Sequence, residues 1–260
     1  MNQTVKSANG TPKIAAGDST IRWEPSLRWV RVEFNGQFVA DSKRPILVWP
    51  KGHMITYYFP IEDVRMDWLE PVREGGDGKV NYDVKVGDWT AEAAAWSYPD
   101  PAPDQEPLRG FITFKWNKVD HWYEEEEEVF VHPRDPYHRV DSVASSRHIK
   151  VVIEGITVAE TRRPYLLFET KLPVRYYIPQ EDINMALLEP SRAVTSCPYK
   201  GDASYWSIKI GDQLYRNYVW AYLDPIPESL KIKGLLSFFN EKVEIYVDGE
   251  LEEQPETVWS

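Results

Sequence analysis

The chain has 260 residues, 42% of them hydrophobic and 27% charged, a globular composition with enough length to bury one large core or two ordinary ones. One cysteine excludes an internal disulfide, no Cys/His group has zinc spacing, and a formal charge of −11 repels phosphate backbones and anionic lipid. Nucleic acid, a membrane surface, a bound metal and a cofactor are therefore not expected, and whether another protein binds is left open.

The chain's 11 Trp, 15 Tyr and 20 Pro favour short strands and turns over long helices, so a mainly β fold is expected. Residues 1–22 read as a disordered lead-in. Their polar start has no apolar signal-peptide core, no apolar run approaches membrane-spanning length, and a cytoplasmic location is the expectation.

From Arg28 onward the sequence repeats. A shift of 119 residues takes Arg28 to Arg147 and holds without a gap through Pro71 and Pro190, pairing Gly36 with Gly155, Arg44-Pro45 with Arg163-Pro164, and Tyr57-Tyr58 with Tyr176-Tyr177. Beyond Pro190 the shift becomes 124, pairing Gly87 with Gly211, Trp96 with Trp220 and Tyr98 with Tyr222. A period this long with two copies means two complete domains. Copy one is expected over 23–128, an inter-domain strap over 129–146, copy two over 147–253 and a tail over 254–260.

Within each copy, period-two alternation opens the domain, as in Ile149, Val151 and Ile153, and Asn35-Gly36 or Glu154-Gly155 marks a hairpin. Further strands follow at 165–168 and 174–178. The segment 180–189, bracketed by Pro179 and Pro190 with acids in its first turn, predicts one short helix per domain. Strands at 205–210, 213–222, 235–239 and 242–247 complete an antiparallel meander. In the strap, His132, Asp135 and His138 invite a metal reading, but two prolines and the lack of a second ligand group favour a packed connection.

The five residues that copy two adds fall between Pro190 and Trp206, within or beside Thr195-Ser196-Cys197-Pro198-Tyr199-Lys200-Gly201, where copy one has Glu74-Gly75-Gly76-Asp77-Gly78. That stretch, with Arg163-Pro164, Glu169, Tyr176-Tyr177-Ile178-Pro179, Tyr205-Trp206 and Trp220-Ala221-Tyr222, resembles the family catalogued as domain of unknown function 427, with copy two the closer match. The resemblance implies two tandem Mss4-like, or β-tent, domains of antiparallel strands. It implies no settled activity: the family carries a nucleotidyltransferase-like name, yet the chain has no Gly-rich phosphate loop and no metal-binding Asp-x-Asp pair.

Two features unique to copy two point to chemistry. Lys200 three residues beyond Cys197 could return its ammonium to the sulfur and activate it, whereas a lone cysteine also serves as core filling. Glu169, where copy one has Pro50, reads either as a general base or ligand anchor, or as a surface partner of Arg163 or Lys171. Tyr176, Tyr177, Tyr199, Trp206, Trp220 and Tyr222 could line a pocket, with Arg163 as a polar contact, although Arg163 also recurs as Arg44 in the manner of a structural strap. The expected function is small-molecule binding by copy two; the alternatives are a cofactor-independent enzyme using Cys197, Glu169 and Lys200, and a non-catalytic interaction module.

Overall fold

The computed structural model describes residues 21–50, 52–74 and 78–260. The lead-in expected for 1–22 lies outside these residues except for Ile21 and Arg22, and Arg22 already opens a strand, Arg22–Pro25. The core of copy one's glycine loop, 75–77, also lies outside them. The chain divides into two units, Met1–Pro133 and Arg134–Ser260.

Each unit is built from a seven-stranded and a four-stranded antiparallel sheet, in two similar halves. In the second unit the large sheet runs, edge to edge, through Val140–Ala144, Tyr165–Glu169, Arg175–Ile178, Leu236–Phe238, Gln213–Tyr222, Gly201–Ile210 and Leu188–Cys197. The small sheet runs through Ile156–Thr161, Ile149–Ile153, Glu244–Val247 and Glu250–Leu251. The predicted hairpins form as expected: Asn35 and Gly36 both have positive φ (49° and 68°), as do Glu154 and Gly155 (50° and 73°), the backbone that matches the strands' right-handed twist.

Alternation along the strands divides the apolar residues between two clusters. One face of the large sheet carries the main core, where Ile149, Val151, Ile178, Phe238 and Ile245 are buried together with Tyr176. The opposite face carries a smaller cluster of Leu167, Tyr177, Ala203, Trp220, Tyr222 and Ile232. Each fully buried aliphatic or aromatic side chain contributes about 1.5–3 kcal/mol by leaving water. Tyr176 and Tyr177, adjacent in sequence, thus face different clusters, as a period of two requires.

The helix expected over 180–189 does not form. Two single 3-10 turns, Gln180–Asp182 and Met185–Leu187, take its place, and Ile183 between them is extended (φ −121°, ψ 139°) and bridges to Ala159. Burying Ile183 on the neighbouring strand outcompetes a helix that two prolines already restrict, and copy one does the same with Val64 against Ala40. The expected strap is also corrected. It spans the division between the units, and its part Val140–Ala144 is the edge strand of copy two's large sheet, paired with Tyr165–Glu169 as Arg22–Pro25 is paired with Ile46–Trp49 in copy one.

Candidate functional site

The residues that distinguish copy two lie on the hairpin formed by Leu188–Cys197 and Gly201–Ile210. Cys197 pairs with Gly201, leaving Pro198, Tyr199 and Lys200 as the loop, and the Lys200 amide donates to the Cys197 carbonyl at 3.3 Å. Gly201 has φ 97°, a left-handed backbone that L side chains rarely adopt, so the conformation favours glycine, while a Cβ there would sit in contact with the Asp224 carbonyl oxygen and the Ile226 nitrogen at 3.4 Å. The segment after Tyr222 pins the loop: the Ile226 amide donates to the Lys200 carbonyl at 3.2 Å, and the Ser229 hydroxyl to the Tyr199 carbonyl at 3.0 Å.

This anchoring presents Lys200 inward, and the residue is buried. Its ammonium donates to Glu169 Oε2 at 2.5 Å, while Glu169 Oε1 lies 2.9 Å from Nε2 of His138. The side chains of Lys200 and Glu169 are 9% and 8% exposed and that of His138 21%, which places a charged pair under the surface and a histidine at its rim. The Tyr199 ring stacks on His138 with centroids 4.3 Å apart, and its hydroxyl accepts the Asp135 amide at 2.7 Å. Residues from three separated parts of the chain therefore converge on one carboxylate. A carboxylate held by an ammonium accepts hydrogen bonds and donates none, so the hydrogen on the shared His138–Glu169 contact belongs to Nε2.

Beside this cluster lie the aromatic residues of the outer sheet face. Trp220 Nε1 donates to the Tyr177 hydroxyl at 3.1 Å, their rings edge to face at 6.3 Å, and Cys197 and Tyr205 pack against the same group. Burial raises the phenol pKa of Tyr177, and that of Tyr222 too, with the Tyr177, Cys197 and Glu169 groups adding to the Tyr222 shift, so both remain protonated donors at neutral pH. Thr195 and Tyr205 share a hydroxyl hydrogen bond of 2.8 Å at the open edge of this face.

Several expected site residues are brought together and others are not. Glu169, Lys200, Tyr199, Tyr177, Trp220, Tyr222 and Cys197 belong to this face. The surface-pair alternative for Glu169 is overturned, since it binds Lys200 and His138 rather than Arg163 or Lys171. The expected delivery of the Lys200 ammonium to the Cys197 thiol is likewise corrected, because Glu169 receives it. Tyr176 faces the main core and donates to Glu252 at 2.5 Å, and Trp206 packs on that core as well. Arg163 is at the far end of the Tyr165–Glu169 strand, paired through its guanidinium with Asp182 at 2.9 and 3.0 Å, which repeats the Arg44–Asp63 pair of copy one. It is a strap, and it lines an open cleft of about 400 Å³ with His148, Glu160, Thr161, Arg162 and Asp182.

His138 is the residue that sequence reasoning misplaced by grouping it with His132 and Asp135. Among the described residues no group of three or more His, Cys, Asp or Glu could hold a metal ion, and His132 belongs to the other unit. The available signal was its position ahead of the edge strand that pairs with Glu169, invisible until that strand is recognised. Also missed was Arg175, buried and bound to the Glu241 carboxylate at 2.6 and 2.7 Å, with the Trp259 ring 5.5 Å from its guanidinium. Among the described residues no helix is long and apolar enough to cross a membrane.

The family described as domain of unknown function 427 matches residues 22–125 and again 141–249, most of the chain, and the protein belongs to it as a tandem of two members. No curated protein matches the chain.

Proposed function

From a family without an assigned reaction, we propose on the chemistry of the site that copy two binds a small organic molecule on the outer face of its large sheet. The supporting observation is the buried Lys200–Glu169 pair with His138 at its rim, set against Tyr177, Trp220 and Tyr222. Burying an ion pair costs several kcal/mol of desolvation per charge, a cost that copy one's fold avoids by having Pro50 in place of Glu169. Stability therefore does not account for the cluster, whereas a ligand's polar groups do: an ammonium and an imidazole held by one carboxylate, with phenol hydroxyls beside apolar rings, recognise a compact molecule with both a polar end and a flat apolar part. Cys197 borders this face as a lining group.

Saturation-transfer NMR of the full chain with a library of small polar metabolites tests the reading. Binders are expected that lose their signal in the double variant E169L/K200M, which removes the pair without leaving either charge alone. Binding that persists in that variant, or an absence of binders across the library, would overturn it.

A further inference from the structure

Lys200 has three ammonium hydrogens, and Glu169 takes one of them; no other hydrogen-bond partner of Lys200 Nζ occurs among the described residues, although the side chain is only 9% exposed. Buried donors without acceptors are rare in native proteins and point to a group that supplies the acceptor. His138 is complementary. Its Nε2–H is committed to Glu169, so the lone pair of the neutral ring is on Nδ1, which likewise has no partner among the described residues. The two groups are bound to the two oxygens of one carboxylate, so the cluster holds both donors for an oxygen and an acceptor for a proton.

A reaction that needs both at once is removal of a proton from carbon next to a carbonyl, because negative charge develops on the oxygen as the proton leaves. We propose that the His138–Glu169–Lys200 cluster is a proton-transfer site for small carbonyl compounds, with His138 as general base and Lys200 as the donor to the carbonyl oxygen. This rests on the binding reading above. His138 Nδ1 takes the α proton; the C–H electron pair becomes the carbon–carbon double bond of an enolate, and the carbonyl π pair moves to the oxygen held by Lys200. The proton on Nδ1 exchanges with solvent; return of a proton from Nδ1 to the same carbon restores the ketone, and its return to the former carbonyl carbon of a hydroxyketone, with the hydroxyl proton moving to the original oxygen, gives an isomer. No electrons leave the substrate. Glu169 does not touch the substrate and is a positioning residue, fixing the ring and its tautomer through Nε2.

The test is deuterium exchange of hydroxyacetone, dihydroxyacetone and pyruvate in D₂O with the full-length protein, followed by loss of the α-proton NMR signals. At least one probe should exchange about 100-fold faster than in buffer, the lower end of what a placed general base provides. H138A should lose that acceleration and regain part of it with added imidazole, while saturation transfer from the probe persists. E169Q should lower kcat with KM within about twofold, as expected for an orienting group. Saturation transfer without exchange would overturn the proton-transfer proposal and leave the binding reading standing. Exchange by H138A at the wild-type rate would overturn the assignment of the base, and binding by other compounds but by no carbonyl probe would overturn the substrate class.

Discussion

In copy one, Trp96 Nε1 donates to the Tyr58 hydroxyl at 3.1 Å, with the rings 6.3 Å apart and 87° between their planes; in copy two, Trp220 and Tyr177 repeat this at 3.1 Å, 6.3 Å and 86°. Around these matched pairs the two faces diverge. The ammonium of Lys79 lies 4.6 Å over the Trp96 ring, at the position where copy two has Ala203, and burial, with Lys115 nearby, lowers the Lys79 pKa. Copy two has the small Ala203 there and the polar cluster next to it, with Glu169 where copy one has Pro50. The aromatic pair is thus part of what the fold requires. What differs is what packs beside it: Lys79 over Trp96 in copy one, and Phe239, 4.5 Å from the Trp220 ring, with the guanidinium of Arg175 at 5.5 Å, in copy two.

A second contrast is deeper in the sheet. Copy two buries Arg175 on Glu241, whereas the position of Arg175 in copy one is Thr56, hydrogen-bonded to Thr113 at 3.3 Å. The largest effect of any single change should come here. E241L leaves the Arg175 charge buried without its partner and should cost about 3–5 kcal/mol, confined to copy two. T56V in copy one exchanges a neutral hydroxyl and should cost about 1 kcal/mol. Urea unfolding with hydrogen exchange resolved for each half would measure both, and equal losses would remove the contrast.

Next in size is K200M, expected to destabilise copy two by about 3 kcal/mol, the lower end for a broken buried pair because His138 still contacts Glu169. The double variant E169L/K200M should recover most of this. A loss from K200M below about 1 kcal/mol would mean that the pair is not buried in solution.

Acid should separate the copies further. The hydrogen bonds of Glu241 to Arg175 and Thr257 outweigh the opposing effect of burial and hold its carboxyl below the usual range. A depressed folded pKa gives stability that is complete above the unfolded value and is lost as pH falls through the folded one. Copy two should therefore lose this contribution below about pH 4.5 while copy one has no counterpart at Asn117. An E241Q variant whose stability runs parallel to wild type from pH 7 to pH 3 would contradict this.

The smallest predicted effect bears on what is common. Y177F and Y58F each remove the acceptor of an indole N–H and should cost about 1 kcal/mol apiece, equally in the two halves. Markedly unequal values would mean that the matched geometry hides different environments.

The tandem organisation, the mainly β class, the hairpins at Asn35-Gly36 and Glu154-Gly155, and the asymmetry at Glu169 and 195–201 were legible in the sequence. Each depends on residues near one another in the chain or on comparing the two copies position by position. Leu188–Cys197 was not recognised as a strand because Pro190 and a run of Ser, Arg and Thr look like a loop; an edge strand tolerates both, having a solvent side that needs neither an N–H nor an apolar side chain. The helix expected over 180–189 failed because a local pattern of acids and apolar residues at helical spacing does not reveal that Ile183 gains more by pairing with Ala159.

The sequence by itself determined which residues only copy two possesses. Tertiary structure alone decided which of them meet: that Lys200 turns to Glu169 instead of Cys197, that His138 arrives from the far side of an edge strand, and that Arg163 is held at the other end by Asp182. The physical reason is that an ammonium's partner is set by proximity in space, and Glu169 reaches Lys200 across 31 positions of sequence through sheet pairing that no local pattern encodes.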